Sequence, residues 1–226
     1  MPNLSIRFIK VSLSGLLILS LGLGCANFTE VQGFASWNYT KVVGRYTKKA
    51  EAYRQLNTVM VAGATYMDWP VRLAYARKYG ADHLLTDAQL EEEINKQKVN
   101  WESATEFFVA TFSDSENWDK LDAPDTNWSV YLYNDLGQRL EPSLIERQTK
   151  IPVYISEFYP SYSNWKKFYK IVFPKCNPDQ TPFISEQTKY IKLQFIGPLG
   201  RVELKWELSS PRDKQVSLNR GGAWKT

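Results

Sequence analysis

The sequence predicts an α+β protein in which N-terminal helices are followed by an antiparallel, immunoglobulin-like β-sandwich. Helix-capping patterns and helical spacing of apolar side chains are found between residues 37 and 100. From Trp101 onward, short segments rich in aromatic and β-branched residues predict six or seven strands, as a sandwich requires. The chain is 43% hydrophobic and 14% aromatic, which suits a sizeable core. The Cys, Trp, Cys spacing of true immunoglobulin domains is absent, so the prediction concerns architecture alone.

The N-terminus combines a basic start with an apolar run. Arg7 and Lys10 precede about fourteen mostly apolar residues, from Val11 to Gly24. A membrane-spanning helix needs about 20 such residues. Residues 1–24 are therefore predicted to be a signal peptide and not a membrane span.

The apolar run ends in Leu21-Gly22-Leu23-Gly24-Cys25, which resembles the lipobox of bacterial lipoproteins. Gly24 and Cys25 match that motif, whereas Gly22 departs from it because the family usually has Leu, Val or Ile there. The resemblance implies that Cys25 is the lipid attachment site and that residues 25–36 form a lipid-anchored tether. Several acyl chains, at about 0.8 kcal/mol for each buried methylene, would make the membrane a permanent partner.

Ordinary signal-peptidase cleavage after Ala26 is the alternative. Gly24 and Ala26 would then be the small residues of the cleavage site, and Cys25 would be lost. If Cys25 is acylated, the absence of Asp at the next position resembles lipoproteins that are sorted to the outer membrane of organisms with two membranes. Both alternatives predict export.

Charge and cysteine content argue against several classes of function. Without Arg7 and Lys10, 26 of the 28 Lys and Arg residues remain against 24 Asp and Glu, a net charge of +2. Because these charges are weak and interspersed, we predict no nucleic-acid partner. Acylation of Cys25 would leave Cys176 alone, so no disulfide framework or cysteine metal site can form. We predict no metal and no cofactor.

The first predicted helix covers much of the helical region, residues 37–100. Apolar residues from Val42 to Met67 recur at steps of three and four positions, which is typical of one face of an amphipathic helix. A bend is predicted near Gly63.

Two further helices are predicted from their capping residues. Asp68 can cap a helix with Pro70 in its first turn, and Gly80 provides a stop signal. Thr86 and Gln89 have the spacing of a capping box at the start of the next helix.

The β-sandwich is predicted over residues 101–208. Its predicted strands lie in TEFFVATF, WSVYLYN, KIPVYISEFYP, WKKFYKIVFP, KYIKLQFI and RVELKWEL. GPLG joins the last two as an antiparallel hairpin with one buried face. Trp128 and Trp206 are predicted to fill the sandwich. Residues 209–226 have no usable period and predict a flexible tail.

From Glu106 onward, beginning with the stretch EFFVATFSDSENWDKLDAPDTNWSVYLYNDLGQRLEP, about half of the chain resembles uncharacterised bacterial envelope lipoproteins with a helical start and a β-sandwich end. The resemblance implies the fold and brings no activity with it.

The sequence favours a protein that is not an enzyme. His83 is the only histidine, it is predicted to lie in an exposed loop, and no nucleophile-elbow or thiol-protease motif accompanies it. The acids from Asp114 to Asp125 could bind calcium, but Asp119 stands where an EF-hand needs Gly, so turn capping is favoured. A hydrolase with a carboxylate pair is the third and least favoured function.

A contact surface is predicted where aromatic and basic residues cluster in FYPSYSNWKKFYK. The candidate binding residues are Trp118, Tyr159, Tyr162, Trp165, Lys166 and Lys167. The favoured function is a non-catalytic envelope lipoprotein whose β domain binds a partner protein. The alternative is a glycan or cell-wall binding module that stacks exposed aromatic rings on sugars.

The N-terminal prediction can be tested by the intact mass of the membrane-extracted protein. Cleavage before Cys25 with added acyl chains is expected, and a Cys25→Ser control should lose that mass. An unmodified chain that begins at Asn27 would contradict the lipid anchor and indicate a soluble exported protein.

Overall fold

A computed structural model describes residues 34–114, 120–152 and 155–208 of the chain. The predicted signal peptide, Cys25, Trp118 and the predicted tail at 209–226 lie outside the described residues. Within the described ranges, no helix has the length and apolar character needed to cross a membrane.

The described residues form four helices and nine strands. The helices are α1 (Phe34–Tyr46), α2 (Trp69–Asp82), α3 (Asp87–Ser103) and α4 (Ile155–Phe158). The strands are β1 (Thr47–Arg54), β2 (Asn57–Tyr66), β3 (Ala104–Phe112), β4 (Ser129–Asn134), β5 (Arg139–Leu140), β6 (Leu144–Arg147), β7 (Lys167–Pro174), β8 (Tyr190–Gly197) and β9 (Gly200–Glu207).

The strands form two antiparallel sheets, which confirms the α+β prediction. Sheet A has five strands in the order β1-β2-β3-β7-β6, and sheet B has four in the order β5-β4-β8-β9. Every strand pair is antiparallel.

One buried cluster contains side chains from both sheets. Phe107 and Ile171 of sheet A belong to it together with Leu193 of sheet B. Trp128 and Trp206 are 3% and 2% exposed in the same cluster, which confirms their prediction as core residues. The Trp206 Nε1–H also donates a hydrogen bond of 2.6 Å to the carbonyl of Tyr46, at the end of α1.

The other face of sheet A, called the outer face, carries a second buried cluster. Side chains alternate along β3, so Phe107 belongs to the first cluster and Phe108 packs against the second. Val43 of α1, Val71 of α2 and Phe158 of α4 belong to this second cluster. Helices therefore cover much of the outer face.

The predicted long helix from Val42 to Met67 is wrong after Tyr46, because residues 47–66 form the β1–β2 hairpin. Ala50 and Ala52 pack against the core and alternate with charged residues, which is a strand pattern. β2 is buried over most of its length on both faces, so it shows no alternation. Sheet A therefore takes two strands from the region that was predicted to be helical.

The predicted strand in KIPVYISEFYP is also wrong. Ile155–Phe158 is a short helix, and Ile155, Phe158 and Tyr159 have the spacing that places side chains on one helical face. Pro152 cannot donate a backbone hydrogen bond, and its carbonyl accepts one from the N–H of Ile155, which starts the turn. The short strands β5 and β6 had no sequence prediction.

The start signals of α2 and α3 and the final hairpin confirm the predictions, whereas α2 continues to Asp82, past the stop predicted at Gly80. Asp68 caps α2, and Thr86 and Gln89 form the capping box of α3. α3 continues to Ser103, past the predicted start of the β region at residue 101. The final hairpin pairs β8 with β9 along their full lengths.

A buried ionic network attaches α2 and α3 to sheet A. The Arg72 guanidinium donates to Glu106 Oε2 of β3 at 3.0 Å, to Gln97 Oε1 of α3 at 3.1 Å and to the carbonyl of Met67 at 3.0 Å. Both charged side chains are less than 10% exposed, and Lys170 of β7 lies 3.5 Å from the same carboxylate. Since the burial of an unpaired charge is costly, each partner depends on the other.

Replacement of Arg72 should therefore destabilise the protein strongly. We expect Arg72→Met to lower the free energy of unfolding by about 3 kcal/mol or more, because Glu106 keeps its buried charge and loses its closest partner. Arg77→Met, at an exposed position of the same helix, should change it by at most about 0.5 kcal/mol. Urea unfolding measures both, and equal effects would contradict this role of Arg72.

Candidate functional site

The predicted contact surface lies on a segment that crosses the outer face of sheet A. We call Ile155 to Lys166, which contains α4 and the following turn, the cover segment. Its ring contacts lie against β3 and β7: Tyr159 is 4.4 Å from Phe108 and 5.4 Å from Phe168, measured between ring centroids. The cover segment is thus part of the packed structure.

The candidate binding residues separate into a buried group and an accessible group. Tyr159 is 5% exposed, so its prediction as a surface residue is wrong. Tyr162 is half-buried, and its ring packs edge-on against Phe168 at 5.6 Å. Trp165, in contrast, is 85% exposed. Burial of the aromatic side chains near α4 leaves Trp165 as the accessible ring of the cover segment.

Trp165 borders a shallow groove of about 380 Å³. The groove is lined by Val61, Phe112, Ser163, Trp165 and Lys166. Val61 of β2 and Phe112 of β3 are direct partners in the sheet, so they form a continuous apolar floor. We call this site the Trp165 groove.

The groove forms where the cover segment ends. Gly63, two residues from Val61 on the same face of β2, lies under Ser161. A Cβ at Gly63 would lie 2.5 Å from the Ser161 hydroxyl oxygen and 2.7 Å from its Cβ. Glycine therefore allows the cover segment to approach the sheet here, while Val61 stays open to the groove.

Two hydrogen bonds of Lys166 stabilise the turn that presents Trp165. The Lys166 backbone N–H donates to the carbonyl of Ser163 at 3.0 Å, and its Nζ donates to the carbonyl of Ser161 at 3.1 Å. Trp165 therefore lies in a turn that is closed by the hydrogen bonds from Lys166 to Ser163 and Ser161.

Lys166 gives one side of the groove a positive charge. Burial lowers the pKa of its ammonium group, and the neighbouring Lys49 lowers it further, while Glu51 acts in the opposite direction. The Glu51 carboxylate accepts a hydrogen bond from the Tyr53 hydroxyl. Lys167 is half-buried at the start of β7 and is paired in the sheet with Thr111.

A second pocket, of about 590 Å³, lies at the end of the β1–β2 hairpin. The described residues that line it include Arg54, Thr58 and one carboxylate, that of Asp114. The Asp114 side chain accepts a hydrogen bond of 2.5 Å from the backbone N–H of Thr58 and so fixes the start of β2. Among the residues that the structure describes, neither this pocket nor the Trp165 groove is lined by a carboxylate pair of the kind that hydrolysis requires.

The structure places the other candidate residues outside these pockets. His83 is exposed in the loop after α2, as predicted, and its ring stacks on Tyr79 at 4.0 Å. Cys176 is half-buried with a free thiol. Within residues 34–114, 120–152 and 155–208, no three His, Cys, Asp or Glu side chains are grouped to hold a metal ion.

Sequence reasoning missed the floor of the groove and its nearby charges. Val61 and Lys49 lie in the residues that were predicted to be one helix, and Phe112 was assigned only to a strand. The alternation in TKKAEAYR was the available signal, since it places Lys49 and Glu51 on one face of a strand. The pairing of Val61 with Phe112 is a long-range contact that no local sequence pattern predicts.

Comparisons with known proteins give no functional assignment. No family model matches the sequence, and no curated protein matches it. A solved structure of a protein of unknown function from Burkholderia pseudomallei is similar over 80% of this chain and 86% of that chain, at 6% identity and a TM-score of 0.42. A likeness this distant does not assign a function.

The contact between Gly63 and Ser161 can be tested by a double-mutant cycle. Gly63→Ala should lower the free energy of unfolding by about 1–3 kcal/mol, because its methyl group would overlap the Ser161 side chain. Ser161→Gly removes that overlap, so it should recover most of the loss caused by Gly63→Ala. Urea unfolding of the four proteins measures the coupling. Effects that add within about 0.5 kcal/mol would contradict the close contact.

Proposed function

We propose that this chain is a non-catalytic, membrane-anchored envelope lipoprotein that binds a partner protein through the Trp165 groove. The observation that carries the proposal is the indole of Trp165, which is 85% exposed beside an apolar floor of Val61 and Phe112. An exposed Trp beside an apolar groove is the kind of residue that dominates protein interfaces.

The N-terminal sequence supports the membrane anchor. A basic start, a short apolar run and the Gly24-Cys25 pair have the order found in lipoprotein signal peptides. We propose that Cys25 carries the lipid and that the protein is exported, to the outer membrane if the organism has two. The membrane is then a constant partner, independent of the groove.

For the fold, we propose a two-layer β-sandwich of immunoglobulin-like architecture. The shared core of sheets A and B supports two layers that bury the faces they turn to one another. The antiparallel pairing of all strands is consistent with that class.

The lining of the groove favours binding over catalysis. Its floor is aliphatic and aromatic, and its polar groups are the Lys166 ammonium and the Ser163 hydroxyl. General acid–base chemistry most often uses a histidine or a carboxylate, and the described residues that line the Trp165 groove include neither. An apolar side chain of a partner would bury Val61, Phe112 and Trp165 at once.

A glycan or cell-wall polymer is the second candidate. The exposed Asn164 beside Trp165 favours it, because an amide next to an exposed ring can bind hydroxyls of a sugar that stacks on the indole. The apolar floor is less suited to a sugar, whose hydroxyls would lose water there without gaining partners.

Photocrosslinking in cells separates these functions. We expect p-benzoylphenylalanine in place of Ser163 to give a discrete protein adduct, and Trp165→Ala in the same protein to reduce the adduct at least about tenfold, since it removes the aromatic anchor. The same photoreactive group in place of Leu84, which is 89% exposed on the loop after α2, is the matched control.

Equal adducts at both positions would contradict partner binding at the groove. Sedimentation with purified cell-wall glycan that is lost in Trp165→Ala, without a protein adduct, would instead support the glycan function.

A further inference from the structure

We propose, on the basis of the proposed function, that the Trp165 groove recognises an acidic segment of a protein in which an apolar or aromatic side chain stands beside a carboxylate. The apolar side chain occupies the floor, and the carboxylate pairs with Lys166. The proposal concerns the chemistry of the partner, which the proposed function leaves open.

The apolar half of the proposal is based on the shape of the site. Val61 and Phe112 are adjacent across β2 and β3, and Trp165 of the cover segment lines the same groove. A single side chain that enters between them contacts three apolar surfaces, and its burial removes the indole from water. The surrounding outer face is already filled, because Ser161 packs onto Gly63 at the closed end.

The ionic half is based on the half-buried ammonium group of Lys166. Lys166 forms no ion pair with the described residues, and its Nζ donates a hydrogen bond to a neutral backbone carbonyl, that of Ser161. Lys49 is also without an ion pair in the described part of the chain, and its Cγ lies 3.6 Å from the Cβ position of Gly63. Two cations therefore lie near the closed end of the groove.

Charge complementarity consequently favours an anionic partner. Glu51, the partner of Val61 in the sheet, is the acidic side chain that acts on Lys166, so the two cations Lys166 and Lys49 lie near one acidic side chain at this end of the groove. A carboxylate at the Lys166 edge would restore the electrostatic stabilisation that the ammonium lost on burial, and would offset the repulsion from Lys49. A neutral partner would gain only the apolar contact.

A peptide carboxylate suits this site better than a phosphate group. Bidentate phosphate binding commonly uses an Arg fork or several backbone N–H groups, whereas the described residues that line the groove contribute a single cation, Lys166. A site with a single ammonium group beside an apolar floor fits an apolar side chain that has a carboxylate next to it. We therefore assign the occupant to a protein segment and treat an anionic membrane surface as a competing outcome.

The experiment uses two small probes that differ in charge. N-acetyl-L-phenylalanine carries the carboxylate, and N-acetyl-L-phenylalaninamide is the neutral match. Each is titrated into ¹⁵N-labelled exported protein, and the Trp165 indole N–H resonance is identified by its loss in Trp165→Phe. Ligands of this size bind with dissociation constants of about a millimolar.

We expect the Trp165 resonance to shift saturably with the acid, and the amide to bind about tenfold more weakly, the factor expected for a hydrogen bond to a charged group. Lys166→Met should remove the difference between the probes, and Lys166→Arg should keep it. Lys98→Met, at an exposed position of α3, should change neither affinity. Native-like dispersion of the spectrum establishes that each variant is folded.

Three results would overturn the proposal. Equal affinity for the acid and the amide would contradict recognition of a carboxylate. It would leave the proposed partner binding, which the crosslink tests, unaffected. The absence of a shift of the Trp165 resonance with both probes would contradict the binding of an apolar side chain in the groove. Binding to phosphatidylethanolamine vesicles that contain phosphatidylglycerol, dependent on Trp165 and Lys166 and without a response to the acid probe, would assign the site to a membrane surface.

Discussion

The buried ion pair between Arg72 and Glu106 is the constraint on which the cover of sheet A depends. Glu106 lies at one end of the outer face of β3, and the network around it joins α2 and α3 to the sheet. Every second residue of β3 faces the same way, so Phe108 and Phe112 follow on this face. Phe108 meets the Tyr159 ring, and Phe112 lies in the open groove. The outer face of β3 therefore begins with a buried ion pair, continues with an aromatic contact to the cover segment, and ends in the candidate site.

A second buried cation fixes the cover segment to α2. Lys78 Nζ lies 2.8 Å from Asp82 and 3.6 Å from Glu157 of α4, and 4.9 Å from the centroid of the Phe158 ring. The Tyr39 hydroxyl of α1 donates to the carbonyl of Phe158 at 2.6 Å, and its burial raises the pKa of the phenol well above its usual value. Because α4 is held by two helices and Ser161 by the sheet, the backbone of the cover segment that presents Trp165 is positioned before any partner binds. Such preorganisation lowers the entropy cost of association.

Local sequence signals predicted the elements whose determinants are local. The capping residues of α2 and α3 and the alternating final hairpin are of this kind, since each depends on neighbours within one element. The β1–β2 hairpin was missed because β2 is buried on both faces and its small apolar residues also suit a helix. For the site, the sequence located the aromatic cluster but could not separate Tyr159 from Trp165. That separation depends on the packing of Tyr159 against Phe108, which belongs to a strand far away in the sequence, and against Phe168 of β7.

The proposed lipid anchor would compensate for the small surface that the shallow groove can bury. A groove whose floor is two side chains and whose wall is one indole buries too little surface for tight binding alone, since stable interfaces bury about 800 Å² on each partner. Attachment of both proteins to one membrane would raise their effective concentration and strengthen a weak contact by about 10² or more without additional contacts. A small site on a rigid cover segment is therefore sufficient for a tethered protein, whereas the same groove on a freely diffusing protein would require a larger interface around it.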